Sequence, residues 1–146
     1  MNASRQSNRP GIFGTIAIAV VSLAAYSGMA LGDEVKVTLS GAQEVPAVKT
    51  SASGGGTIMI NADKSVSGSV TTSGVAGTMA HIHLAATGKN GPVIIPLTKS
   101  GDSTWSVPAG AKLTDDQYKA YKAGDLYVNV HSAVNKGGEV RAQLKP

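Results

Sequence analysis

The chain has 146 residues, 15% of them charged, a formal net charge of +4 and no cysteine. Thiol catalysis, thiolate metal sites and disulfides are therefore excluded, and the fold must rest on a hydrophobic core or on core plus metal. Arg5 and Arg9 carry part of the positive excess and no basic stripe follows them, which argues against a nucleic-acid partner.

Residues 1–32 read as a signal peptide: a polar start with Arg5 and Arg9, then an apolar run from Gly11 to about Tyr26. That run falls short of the roughly 20 residues a membrane-crossing helix needs, so no stable membrane span is expected after processing. Gly28 and Ala30 occupy the small-residue positions of a cleavage site, which places the mature start near Leu31 to Asp33. Export is the expected fate, to a periplasm or out of the cell. Residues 33–146 are then of one-domain length.

From Glu34 onward the chain is a series of short β-type runs. Val35-Lys36-Val37-Thr38-Leu39 and Thr57-Ile58-Met59-Ile60-Asn61 alternate apolar and polar residues, as a half-buried strand does. Further strands are expected over Ser67–Thr72, Thr78–Ala85, Val93–Thr98, Thr104–Val107, Asp125–His131 and Glu139–Leu144. Turn-forming stretches separate them, including Gly88-Lys89-Asn90-Gly91-Pro92 and Asn135-Lys136-Gly137-Gly138. About eight strands spaced in this way suggest an antiparallel sandwich or barrel.

One stretch, Leu113 to Gly124, breaks the pattern. Thr114 and Gln117 form a capping box, Leu113 and Tyr118 a hydrophobic staple, Asp115 and Asp116 suit the positive end of a helix, and Gly124 suits its stop. A short connecting helix without chemistry is expected there.

The three histidines fall in two of the predicted strands. His81 and His83 are two residues apart and so share a face, about 6.5 to 7 Å apart along the backbone. His131 ends the run Leu126-Tyr127-Val128-Asn129-Val130-His131, on the face opposite its apolar residues together with Tyr127 and Asn129. Imidazoles so placed can converge on one ion at about 2 Å from each nitrogen. Neutral imidazoles without thiolate or carboxylate suit copper, with zinc as the second choice; magnesium and calcium fit poorly. Met79 shares the face of His81 and His83, as a soft fourth ligand favouring Cu(I) or as packing.

Residues Val37 to Leu144 resemble the CHRD domain, the chordin-type module common in exported bacterial proteins. The resemblance rests on Leu39-Ser40-Gly41-Ala42-Gln43-Glu44-Val45-Pro46, Ala80-His81-Ile82-His83, Asn90-Gly91-Pro92-Val93, Leu126-Tyr127-Val128-Asn129-Val130-His131 and Gly137-Gly138-Glu139-Val140-Arg141-Ala142-Gln143-Leu144. The pattern departs from the family's at Ala47, where Pro is usual, and at Leu84-Ala85-Ala86, where a Gly-Pro element is usual. The resemblance implies a β-sandwich, and with the strand spacing and the capping box the expected fold is all-β, an antiparallel Greek-key-like β-sandwich with one short helix. The His-x-His strand is also similar to the copper-binding strand of Cu,Zn superoxide dismutase, although that family's zinc loop, disulfide and full histidine set have no counterparts here.

Three functional readings follow. The first is an exported domain holding one copper ion through His81, His83 and His131 for storage, delivery or redox use. The second is a copper-only superoxide dismutase with Arg141 as the guiding cation, since Glu139, Arg141 and Gln143 share a strand face. The competing expectation for Glu139 and Arg141 is a polar pair on a solvated face. The third reading is a metal-free adhesion or interaction module.

Overall fold

The computed structural model describes residues 32–146; the signal-peptide reading of residues 1–32 lies almost wholly outside them. The alternation in the first strand, β1 (Asp33–Ser40), becomes burial: Val35, Val37 and Leu39 face the core while Glu34, Lys36 and Thr38 face solvent. The same logic forms β2 (Ser53–Ile60), β3 (Val66–Ser73), β4 (Gly77–Leu84) and β5 (Val93–Pro96). After these come β6 (Thr98–Lys99), β7 (Thr104–Ser106), helix α1 (Asp115–Lys122), β8 (Leu126–Ser132) and β9 (Val140–Leu144). The capping box of Thr114 and Gln117 is formed at the start of α1, and Leu113 and Tyr118 both lie against the core.

Among the described residues the expected count of eight strands becomes nine. The run Val93–Thr98 is two strands, broken at Leu97, whose side chain is buried and whose N–H bonds to the Ala80 carbonyl. All pairs are antiparallel, in the order β5-β4-β8-β9-β1-β2-β3-β7-β6. The outermost strands, β5 and β6, are joined by Leu97 alone, so the two edges must be neighbours in space and the sheet wraps round nearly to closure.

The wrap is pinched where β9 meets β1 at the single pair Ser40 and Arg141. That joint divides the sheet into two halves, β5-β4-β8-β9 and β1-β2-β3-β7-β6, facing each other across one core in sandwich fashion. Trp105 of β7 and Val130 of β8 meet across this core over Gly77. Leu39, Ile58, Ile60, Val70, Ile82, Leu126, Val128, Val140 and Leu144 fill it, each with 0 or 1% of its surface exposed. Full burial of each such side chain is worth roughly 1.5–3 kcal/mol. A core of this size is consistent with a chain that has no disulfides to hold it.

The second face of β8 is not solvated. All seven of its residues are buried, because two segments cover the outer side of β8 and β9. One is the stretch after β1, which runs through the 3-10 turn Gly41–Gln43 to Glu44 and a cis Val45–Pro46 peptide. The other is the loop between β4 and β5, tied down by Gln143 Nε2 to Ala85 O at 2.8 Å and Arg141 Nη2 to Lys89 O at 2.8 Å. The two segments are tied to each other by Asn90 Nδ2 to Val45 O at 2.7 Å. The expectation of a solvated Glu139 and Arg141 pair therefore fails: Arg141 is 1% exposed, and each residue bonds to other partners.

Candidate metal centre

Strand register decides which outer-face residues meet. Across β4 and β8 the pairs are Met79 with His131, His81 with Asn129, and His83 with Tyr127. This grid makes His131 the diagonal neighbour of His81 and puts Asn129 between the two strands' histidines. The three imidazoles converge as the sequence suggests: one nitrogen of each lies within 4.8 Å of the others. Donors on one tetrahedral ion at about 2.0–2.1 Å stand about 3.4 Å apart, so closure shortens the widest gap by about 1.4 Å, which two side chains can share.

Hydrogen bonds fix which nitrogens are available. A carbonyl oxygen can only accept, so His83 donates its Nδ1–H to Gly91 O at 2.9 Å and His131 donates its Nδ1–H to Lys136 O at 2.8 Å. The hydrogens of both neutral rings are thereby committed, and each Nε2 carries a lone pair. His81 Nδ1 lies 3.0 Å from His131 Nε2 and donates to it; a cation among the three rings would replace that hydrogen. His83 Nε2 is buried and has no hydrogen-bond partner. A backbone carbonyl holding the non-ligating nitrogen is the usual second contact of a metal-binding imidazole, setting its tautomer and orientation.

The surroundings of His81 and His83 disfavour their charged forms. Burial, and then the neighbouring imidazoles of His131 and His83, push His81 below the ordinary histidine value. Burial also lowers His83, against the opposing pull of the Gly91 carbonyl. Tyr127 stacks on His83 with ring centroids 4.6 Å apart and planes 3° from parallel. On its other side Tyr127 carries the Arg141 guanidinium 3.4 Å from its centroid.

Arg141 acts on the site through the covering loop. It donates to Lys89 O at 2.8 Å, to Asn90 Oδ1 at 3.2 Å and to Gln143 Oε1 at 3.4 Å, holding the residues just before Gly91. Gly91 admits no side chain, because a Cβ there would lie 1.9 Å from Leu84 O. The loop carrying Lys136 is held likewise: Ser132 Oγ donates to Glu139 and accepts from Asn135 N, and Thr50 Oγ1 also donates to Glu139 at 2.8 Å. These hydrogen bonds keep the Glu139 carboxyl below its ordinary value. Met79, the soft-ligand candidate, shares the histidine face and is 50% exposed.

Sequence reasoning gave no role to Glu44 or Asn129, nor to the carbonyls of Gly91 and Lys136. Glu44 is 5% exposed, and burial pushes its carboxyl up to about 7 against the lowering influence of Arg141 and Asn129. The one available signal was a carboxylate set as the solitary charge inside the otherwise uncharged stretch Gly41–Val48.

No helix among the described residues is long and apolar enough to cross a membrane. Comparisons with curated proteins and with solved structures find no match. The family model described as CHRD domain matches residues 35–144, from the first core residue of β1 to the last of β9. Both halves of the sheet, the covering segments and all three histidines lie inside that match, so the chain belongs to the CHRD domain family.

Proposed function

We propose that this CHRD domain is an exported metal-binding module that holds one copper ion through His81, His83 and His131. The observation that carries the reading is the pair of committed Nδ1 hydrogens. They turn the Nε2 lone pairs of His83 and His131 inward, one of them buried and unpartnered, within reach of His81. An interaction module has no need to orient three neutral imidazoles in this way. The absence of thiolate and carboxylate from the cluster favours copper, and copper(II) binds nitrogen sites more tightly than zinc in the Irving–Williams order. Export is read from the leader in residues 1–32, and it suits storage, delivery or redox handling of copper outside the cytoplasm.

Copper-dependent superoxide dismutation is the enzymatic form of the same site, but it is the weaker reading. Steering superoxide needs a cation at the mouth of the site, whereas Arg141 is 1% exposed and bonded to the loop above it. Metal content after aerobic purification tests the main reading. Near-stoichiometric copper or zinc that is lost in the His83→Ala variant supports it, and metal-free protein that cannot be loaded by copper overturns it. Superoxide consumption by the copper-loaded protein separates the enzyme from the binding module.

A further inference from the structure

The histidine cluster has an oxygen donor set into it. Asn129 lies directly across from His81 in the β4–β8 register and two residues before His131 on the same face. Its side chain is 1% exposed, and its Oδ1 is buried with no hydrogen-bond partner. A buried amide oxygen left without a donor is costly, so its place beside a second unpartnered acceptor, His83 Nε2, calls for a common cause.

The orientation of the amide is set from the other side. Asn129 Nδ2 donates to Gly137 O at 3.4 Å and lies with Glu44 Oε1 beside Gly138, close enough for Asn129 to lower the Glu44 carboxyl against the effect of burial. The Gly137 carbonyl can only accept, so the NH2 group faces it and the oxygen lies on the side of the histidines, where Asn129 neighbours His83. Gly138 makes this approach possible. Its backbone has φ of +131°, and a Cβ there would lie 2.3 Å from Glu44 Oε1 and 2.5 Å from Asn129 Nδ2. Two acceptors, His83 Nε2 and Asn129 Oδ1, therefore face one space with no hydrogen between them. A cation satisfies both.

We infer that Asn129 Oδ1 is the fourth ligand of the ion held by His81, His83 and His131, and that Glu44 is the positioning residue that fixes its amide. The inference rests on the three-histidine reading and deepens it by setting the preferred oxidation state. Three imidazoles and a neutral, hard carbonyl oxygen form a site for a divalent ion, copper(II) before zinc, whereas Cu(I) favours soft thioether or thiolate donors. Half-exposed Met79 then lies outside the coordination sphere.

The test compares copper(II) and copper(I) affinities of the purified protein by chelator competition, for wild type, Asn129→Leu, Asn129→Asp and Met79→Leu. Asn129→Leu keeps the shape but removes the oxygen. It should weaken copper(II) binding at least tenfold while changing copper(I) binding less than threefold. Asn129→Asp returns an oxygen and should restore copper(II) affinity to wild type or better, with an altered electron paramagnetic resonance spectrum. Met79→Leu should change neither affinity.

Equal weakening of both oxidation states in Asn129→Leu would show a merely structural role and overturn the inference, as would unchanged copper(II) affinity in that variant. If Asn129→Leu does not fold, Asn129→Asp decides: a copper(II) affinity and spectrum identical to wild type overturn it. Wild-type protein that binds copper through three nitrogens while Asn129 proves indifferent removes this inference alone. Wild-type protein that binds no copper removes the three-histidine reading with it.

Discussion

Replacing Arg141 by alanine should both loosen the fold and weaken the metal site, and the size of each effect can be worked from its contacts. The guanidinium makes hydrogen bonds of 2.8, 3.2 and 3.4 Å and rests 3.4 Å from the Tyr127 ring centroid, all with 1% exposure. Hydrogen bonds to a charged group are worth about 1.5–3 kcal/mol each and a desolvated cation–π contact about 2 kcal/mol. These contributions overlap, and removing one member of a buried charged network usually costs about 3–5 kcal/mol in all. For a domain of this size that lowers the melting temperature by roughly 12–30 °C.

The loop at Lys89 and Asn90 then loses its anchor, and Gly91 O no longer fixes the His83 ring. Loss of such an outer contact typically lowers metal affinity 10- to 100-fold. Arg141→Lys keeps the charge without the planar fork and should fall between wild type and alanine in both respects. Melting of the metal-free protein by circular dichroism and copper titration against a chelator measure the two effects. An alanine variant that melts within about 3 °C of wild type would refute the packing argument. A variant that is destabilised yet binds copper with wild-type affinity would cut the proposed link from Arg141 to His83.

Copper in thousandfold excess over Kd should stabilise the protein by roughly 4 kcal/mol, raising its melting temperature by many degrees, and His83→Ala should abolish most of that shift. The shift should fade in acid as the imidazoles protonate, but at a lower pH than for free imidazole, because burial lowers His81 and His83. In the metal-free protein the same two groups contribute stability that is present above their unfolded value near 6.5 and lost as pH falls through their folded values. Glu44 acts in the opposite sense. With its folded value raised from 4.5 to about 7, it contributes stability that is full below 4.5 and lost as pH rises through about 7. Glu44→Gln should therefore melt higher than wild type at pH 8, by an amount worth up to about 3 kcal/mol, with no such gain at pH 4, as melting curves at the two pH values will show. Protein recovered from an exporting host should begin between Leu31 and Glu34 by intact mass, and a full-length membrane-bound product would contradict the leader reading.

Much of this was legible in the chain itself, wherever a feature is local. The period-two alternation of Val35, Val37 and Leu39 is the burial pattern of β1, and the Thr114 and Gln117 box is the start of α1. Parity along a strand put His81 with His83 and put His131 opposite Val130. What parity could not supply was register. The pairing of His81 with Asn129 instead of its neighbours is set by contacts between strands about 50 residues apart, and it decides which residues flank the histidines. Nor could parity show that the polar face is covered. Arg141 and Glu139 alternate like solvated residues, and only the loops carrying Asn90 and Thr50, far away in sequence, bury them. The break at Leu97 was hidden for the same reason: Val93–Thr98 is locally one β-type run, and only closure of the sheet makes Leu97 the crossing point.

Electron paramagnetic resonance of the protein loaded with one equivalent of copper(II) tests the central claim most directly, because nitrogen splitting counts the imidazoles bound to the ion. The geometry of His81, His83 and His131 predicts a single copper species with three nitrogen donors, falling to two in His83→Ala. A spectrum without nitrogen splitting, or copper that separates from the protein on a desalting column at pH 7.5, would contradict the metal centre.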